Sequence, residues 1–397
     1  MKQKKECGIC GSVDVVKVLD FGKTPLANAF ITQAEIKNEQ RYPLRVFFCR
    51  TCKSVQLMDI VDPELVFKKY EYLTSASQPM CDHFIKMGND LVDQFDIKQE
   101  DLVVEIGGND GVLLNAIKDK CRVLNVDPAV DAAKMSKEKG IATLNEFFTC
   151  DTVAKIGRAK LVIANNVMAH IEDIVGTFLG VGQLIQDGGV FVLEVHWLGN
   201  LIGSGGFDQI YHEHIYYHSL TALNHLVEAT GMVIFDVQME PIHGQSMRVF
   251  VGDRKPTQAV DDLLKQEQIL GLDKEETFTA FADKIENNRI NLVTLCKLLR
   301  LKGKSIVGYG APAKGNTLLN YFNIKLDYVI DTTPLKQGLY TPGMHMRVRK
   351  PERVLTEPPD YFLLLAWNYA DTILEKEKTL RDAGTKFIIP VPETRVV

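Results

Sequence analysis

From residue 100 onward, short apolar runs alternate with segments of helix length. The run "DLVVEIGGNDGVLL" (101–114) reads as a buried strand, a glycine-rich turn and a helix start. "CRVLNVDPA" (121–129), "AKLVIANNVMAHI" (159–171) and "GGVFVLEVHWLGNLI" (188–202) are further apolar runs, with polar, helix-length stretches between them. Strands alternating with helices imply a doubly wound, mostly parallel sheet. The pattern then repeats. From about residue 253 a polar linker leads into a long helical stretch broken near Gly271. There Phe278, Phe281, Ile285, Leu292, Leu295 and Leu299 recur at helical spacing. "KSIVGYGAPAKGNTLLNYF" (304–322) opens a second strand, turn and helix, and "KLDYVID", "PDYFLLLAW" and "TKFIIPVPE" supply further strands.

The first 70 residues follow another rule. "ECGICGS" and "FFCRTCKSVQL" are two CxxC knuckles, Cys7 with Cys10 and Cys49 with Cys52. Paired knuckles offer the four soft ligands that tetrahedral zinc takes, and with none left open such a zinc is structural, stapling a module with little core of its own. Four reduced thiols or a redox dithiol are the alternatives. Thirty-eight residues lie between Cys10 and Cys49, longer than a common zinc ribbon. The chain thus divides into a zinc-binding module (1–70), a Rossmann-like domain (71–252) and a second, shorter Rossmann-like domain (253–397), an α/β protein.

Composition narrows the class. At 397 residues the chain exceeds one ordinary core, and 46% hydrophobic with 24% charged residues is ordinary for a globular protein. A net charge of −5 and a pI near 6.0 argue against a nucleic-acid partner. No stretch of about 18 apolar residues offers a membrane span. "MKQKK" is followed by no apolar run and so does not read as a signal peptide. A cytoplasmic enzyme is expected, and with no spare apolar helix evident, a monomer.

The glycine turn "VEIGGNDGVLL" places Glu105, Gly107, Gly108, Asn109, Asp110 and Gly111 between strand and helix. Amides at a helix N-terminus there can approach a ligand closely. A dinucleotide fingerprint carries no acid just before its glycines. Here Glu105 and Asp110 would repel a pyrophosphate and suit the cationic groups of S-adenosylmethionine. Asp127, at the end of the next strand with Pro128 beside it, can take ribose hydroxyls, a geometry that also serves NAD. Phe147 is a candidate for the adenine face and Asn165 for a cofactor contact, with core packing the rival for Phe147.

The densest chemistry lies in "FDQIYHEHIYYHS" (207–219): three histidines, three tyrosines, a glutamate and an aspartate, from a chain holding nine histidines and twelve tyrosines. General-base work near neutral pH favours an imidazole or a carboxylate beside one, and fixed donors hold a developing oxyanion. In an extended segment Tyr211 and Glu213 share one face, His212 and His214 the other. Zinc binding by His212, Glu213 and His214 is the rival, but no further ligand sits at hydrolytic-zinc spacing. In "GYGAPAKGN" the acids are gone and a lysine has arrived, which suits phosphate.

The motifs "VVEIGGNDGVLL", "NVDPA", "ANNVMAHI", "FDQIYHEHIYYHS" and "GYGAPAKGNTLLNY", with the leading knuckles, resemble the nucleotide-sugar C-methyltransferase family, whose best-known members act at C3 of dTDP-4-keto sugars. The resemblance covers essentially the whole chain. It implies structural zinc, S-adenosylmethionine as methyl donor and a nucleotide-linked keto-sugar substrate. It also implies Tyr211, Glu213 and His214 at the sugar, with His214 the favoured base and Glu213 its neighbour or substitute. His170 faces the sugar from the cofactor side, and Tyr72 or Tyr70 closes over it. His196 is a weaker substrate candidate. The resemblance also implies that Gly310, Lys314, Asn316 and Lys336 meet the nucleotide diphosphate, with a turn that only packs as the rival. The alternatives are O- or N-methylation of a related sugar nucleotide and a non-catalytic zinc scaffold.

Overall fold

The computed structural model describes residues 1–67, 73–228, 230–242 and 245–397. The chain forms two compact units. Unit 1 comprises Met1–Val15, Phe48–Trp197 and Ile215–Asp273; unit 2 comprises Val16–Phe47, Leu198–His214 and Lys274–Val397. No helix among the described residues is long and apolar enough to cross a membrane.

Unit 1 is built on a seven-stranded sheet. In order its strands are Val233–Glu240, Ser246–Gly252, Ile185–His196, Ala159–Asn165, Leu102–Ile106, Arg122–Val126 and Ala142–Leu144. The last five pair in parallel, while Ser246–Gly252 runs antiparallel to both its neighbours. Leu102–Ile106 is buried at every position, as expected of a strand covered on both faces. The helix Gln78–Gln94 packs Phe84, Met87 and Leu91 into a core with Leu113, Ile117, Val103 and Leu161. In this fold the carboxyl ends of the parallel strands are where a ligand crevice forms, and Ile106, Val126 and Asn165 end there.

Unit 2 repeats the scheme at smaller scale: Val348–Arg349, Val329–Ile330, Ile306–Tyr309, Tyr361–Leu364, Lys386–Ile389 and Arg395–Val396. Only the last strand is antiparallel. Val307, Ile330, Phe362, Leu364 and Phe387 form its core. The expected break near Gly271 separates the helices Gln258–Ile269 and Glu275–Leu301. The longer helix buries Phe278, Phe281, Ile285, Leu292 and Leu299, while Leu295, anticipated on that face, is only half-buried.

Candidate functional site

The two knuckles of unit 1 bring four sulfurs together. Each knuckle is closed by its own amides: Cys7 N to Ser12 O (2.8 Å) and Gly11 N to Cys7 O (3.0 Å); Cys49 N to Ser54 O (2.9 Å) and Lys53 N to Cys49 O (2.9 Å). The Sγ atoms of Cys7, Cys10, Cys49 and Cys52 all lie within 4.8 Å of one another, with Cys7–Cys52 at 3.5 Å and Cys10–Cys49 at 3.6 Å. Tetrahedral zinc with bonds of about 2.3 Å holds its sulfurs about 3.8 Å apart. The Ile9 amide (3.4 Å) and Gln56 Nε2 (3.0 Å) donate to Cys7 Sγ, the outer support that fixes a metal thiolate. This donor set fits zinc closed on all four sides, a structural site.

The first glycine turn, Gly107–Gly111, is also in unit 1. Gly107 and Asn109 take left-handed backbone (φ 68° and 51°), which carries the chain off the strand so that Asn109 N donates to Asp127 Oδ2 at 2.8 Å. Ala129 N holds the other Asp127 oxygen at 2.8 Å. Asn125 locks the turn from below, accepting from Gly108 N (3.1 Å) and donating to Asn109 O (3.0 Å). A Cβ on Gly108 would stand 2.8 Å from Glu105 Oε2, so only glycine leaves that carboxyl its place. Glu105 is 4% exposed; Asn165 Nδ2 reaches its Oε1 at 3.4 Å, and its Oε2 has no hydrogen-bond partner among the described residues. Burial pushes Glu105 up to about 8, and burial raises Asp127 too. A buried carboxyl with an open lone pair fits a cationic ligand, so the residues present suit S-adenosylmethionine.

Asp110 has a partner within the fold. It is fully buried, and Lys139 Nζ meets its Oδ2 at 3.1 Å and its backbone carbonyl at 2.6 Å. Its charge is neutralised within the fold, leaving Glu105 and Asp127 as the acids of the turn. Pro128 and Phe147 are half-buried on the segments after Val126 and Leu144. Thr152 Oγ1 pins the Phe147 carbonyl (2.8 Å), and Asn145 Nδ2 donates to the Asp127 carbonyl (2.9 Å). His170, half-buried, sits in the turn that follows Ala159–Asn165, and His196 ends Ile185–His196 opposite Ser246.

The histidine-rich segment enters unit 2 as a short helical turn, Phe207–Gln209, whose Phe207 stacks on Phe322 with ring centres 5.1 Å apart. His214 Nδ1 lies 2.9 Å from the Gln209 carbonyl. A carbonyl only accepts, so Nδ1 bears a proton, and in the neutral ring Nε2 carries the lone pair. Tyr211 Oη lies 3.0 Å from that Nε2 and donates to it. Glu213 is 4% exposed, and Asn28 Nδ2 donates to its Oε2 at 3.1 Å. Burial pushes Glu213 up to about 7, against the pull of the Asn28 amide. His212 Nε2 donates to the Tyr42 carbonyl at 3.2 Å, a backbone role. His218, in unit 1, is lowered to about 4 by burial and is therefore neutral. Tyr70 and Tyr72 lie outside the described residues.

In the second glycine turn Gly310 is left-handed (φ 83°), and Lys314 stands in the first turn of the helix Ala313–Phe322. Lys314 Nζ contacts Asn368 Oδ1 and lies 4.4 Å from the Trp367 ring centre. Lys336 Nζ bonds the Ala311 carbonyl (2.9 Å) over the Phe30 ring (5.0 Å). Asn316 is buried, with Nδ2 on the Ala27 carbonyl at 2.8 Å.

Three family models match along the chain: a zinc binding domain over residues 7–67, a methyltransferase domain over 81–237 and a C-methyltransferase C-terminal domain over 241–392. The C-methyltransferase NovU of Streptomyces niveus is 36% identical, over 99% of this chain and 96% of that one. The chain belongs to this C-methyltransferase family. Among solved structures, magnesium protoporphyrin IX methyltransferase from Synechocystis PCC 6803 with bound SAM aligns with 44% of this chain and 79% of its own, at 12% identity and a TM-score of 0.34. Geranyl diphosphate C-methyltransferase from Streptomyces coelicolor A3(2) covers 43% and 79%, at 14% identity and a TM-score of 0.36.

On its family models and its 36% identical relative, the chain is an S-adenosylmethionine-dependent C-methyltransferase, with a zinc-binding module whose four cysteines suit a structural zinc. Several of its polar groups escape the reading of motifs. Asp208, inside the histidine-rich segment, is fully buried, accepts from Trp367 Nε1 at 2.6 Å and is pushed up to about 6 by burial. In unit 1, Glu194 is completely buried between His83 Nε2 (2.8 Å) and Arg248 Nη2 (2.9 Å). The signal for Glu194 was available: it is the one acid in the run "VFVLEVHW". Asn28 carries no such signal.

Proposed function

We propose that this C-methyltransferase methylates a nucleotide-linked 4-keto-deoxysugar, carried by dTDP, at a carbon beside the ketone. The observation that carries the reading is the hydrogen bond of His214 Nδ1 to the Gln209 carbonyl. Nδ1–H is tied to a main-chain carbonyl, so Nε2 is the basic atom of the neutral ring, and the Tyr211 hydroxyl 3.0 Å from it is a group that a substrate can displace. Deprotonation beside a ketone needs such a base, since general-base catalysis is worth about 10²–10⁴-fold.

His214 Nε2 takes the carbon-bound proton, and the C–H electron pair passes into the enolate. Tyr211, released from Nε2, donates its O–H toward the ketone oxygen, with His170 and a tyrosine at 70 or 72 as further donors. Glu213 stabilises the imidazolium, or serves as base in its stead. Bound S-adenosylmethionine supplies an electrophilic methyl. Glu105, Asp127 and the amides around Gly107–Gly111 hold it, with Phe147 and Asn165 alongside. Lys314, Lys336 and the Gly310 turn take the diphosphate, and Asn316 and His196 complete the substrate contacts. In this reading residues 1–70, 71–252 and 253–397 divide the labour as zinc module, donor domain and sugar-nucleotide domain, in a monomeric cytoplasmic enzyme.

The test is solvent deuterium exchange into a dTDP-4-keto-6-deoxyhexose with S-adenosylhomocysteine present and no methyl donor. Wild type should exchange the hydrogen beside the ketone, and His214→Asn should lose both exchange and turnover while still binding S-adenosylhomocysteine. Exchange at the wild-type rate in His214→Asn would remove that imidazole from the chemistry.

A further inference from the structure

The 38 residues between Cys10 and Cys49 exceed what two knuckles need to surround a metal. Both knuckles belong to unit 1, yet Val16–Phe47 belongs to unit 2. Within unit 2, one stretch of this excursion meets three residues that the sequence assigns to substrate chemistry. Asn28 Nδ2 donates to Glu213 Oε2 (3.1 Å). The Ala27 carbonyl accepts from Asn316 (2.8 Å), and Phe30 lies under Lys336 (5.0 Å). The stretch is anchored by Ile31, which exchanges main-chain hydrogen bonds with Tyr340 (3.1 and 2.8 Å). Zinc stapling explains none of these contacts.

We propose that Thr24–Ile31 forms a wall of the sugar-nucleotide site and that Asn28 is a positioning residue for the Glu213 carboxylate. The proposal rests on the reading of Glu213 as a group at the reacting sugar. A carboxylate buried to this degree is costly unless hydrogen-bonded. An amide donor fixes its direction without cancelling its charge, as a lysine or arginine would, so the charge stays available to an imidazolium. Thr24–Ile31 contains no ionisable side chain. The titratable groups on Glu213's own turn are Tyr211, His212 and His214. Asp208 and Lys314 belong to the neighbouring elements, the turn Phe207–Gln209 and the helix Ala313–Phe322. The Asn28 amide acts against the effect of burial on this carboxyl.

The experiment is a double-mutant cycle on the full-length, zinc-loaded enzyme with a dTDP-4-keto-6-deoxyhexose as substrate. Asn28→Ala should lower kcat about 10- to 100-fold, with KM for S-adenosylmethionine unchanged. The double variant with Glu213→Gln should be no slower than Glu213→Gln alone, because Asn28 acts through that carboxyl. Asn28→Asp keeps size and shape but sets a second carboxyl against the first, so the acid limb of its kcat–pH profile should move to higher pH; this variant carries the test if the alanine variant does not fold. Losses that multiply in the double variant, or an unmoved profile in Asn28→Asp, overturn the inference. Full activity of Glu213→Gln would instead sink the role given to Glu213 itself, a distinguishable failure.

Discussion

The two glycine turns are wired alike and charged oppositely. In unit 1 the amide of Asn109 bonds Asp127 Oδ2 (2.8 Å); in unit 2 the amide of Ala311 bonds Asp331 Oδ2 (2.7 Å). Each acid also accepts from the amide two residues on, Ala129 (2.8 Å) and Thr333 (2.8 Å). Each turn begins with a left-handed glycine, Gly107 or Gly310, whose amide bonds the adjacent strand at Val126 O (2.8 Å) or Ile330 O (2.9 Å). The difference lies two residues before that glycine. Unit 1 has Glu105, buried and pushed up to about 8; unit 2 has Gly308. Unit 2 instead places Lys314 at the helix start. In the proposed function one backbone device would thus serve a cation in one unit and an anion in the other. The side chains around the turn, and not the turn, decide which.

Swapping those positions should show how rigidly each turn is committed. The largest effect is expected from Gly308→Glu. A Cβ there would lie 2.6 Å from Val329 Cγ1, 3.0 Å from Leu365 Cδ1 and 3.1 Å from Leu326 Cδ1, all apolar. Overpacking plus an unpaired buried carboxyl should cost about 4 kcal/mol or more, read as lost soluble yield or a collapsed thermal melt. A variant that melts like wild type would mean that the second turn has room for the acid. Next comes Glu105→Gln, which keeps volume and removes charge. Loss of a charge-assisted contact of about 2 kcal/mol should weaken S-adenosylmethionine binding about 30-fold in calorimetric titration, with zinc content unchanged. Lys314→Met should be milder. It should raise KM for the nucleotide sugar about tenfold and leave donor affinity alone, because Lys314 already has the Trp367 ring and Asn368 as companions. A rise in donor Kd instead would reverse the assignment of the two turns.

Much of this contrast could be read from local pattern. Apolar runs ending in glycine turns located both sheets, and the knuckles, the YHEH cluster and the sign change from Glu105 to Lys314 stood out because each is contiguous. Partners distant in sequence did not. The sequence placed Asp110 at the cofactor, and gave no sign that Lys139, 29 residues on, pairs with it. Nothing in "TPLANAFI" announces that Asn28 meets Glu213, 185 residues away. The antiparallel strands Val233–Glu240 and Ser246–Gly252 end a sheet expected to be mostly parallel, and they bring Arg248 to Glu194. Periodicity reports which face of an element is apolar; it does not report which polar group crosses from another element to satisfy a buried charge.

The smallest effect expected is a pH dependence of donor binding, and its sign follows from Glu105. In the free enzyme the carboxyl is raised to about 8 by burial, with Asn165 pulling the other way, so at pH 7 it is mostly protonated. A cationic donor favours the carboxylate and lowers that value in the complex. Binding at pH 7 must therefore expel a proton, and affinity should climb by up to tenfold per pH unit as pH rises toward 8, then level off. The same shift acts on the fold with opposite sign. An acid whose folded value lies above its unfolded one makes the free protein lose stability as pH rises from the ordinary carboxylate range through about 8, and bound donor should restore it. Calorimetry at pH 7 in buffers of different ionisation enthalpy should show close to one proton released per S-adenosylmethionine bound. Glu105→Gln should abolish that release. Release that persists in the glutamine variant would transfer the titration to Asp127, which burial also raises, and would remove Glu105 as the proton source.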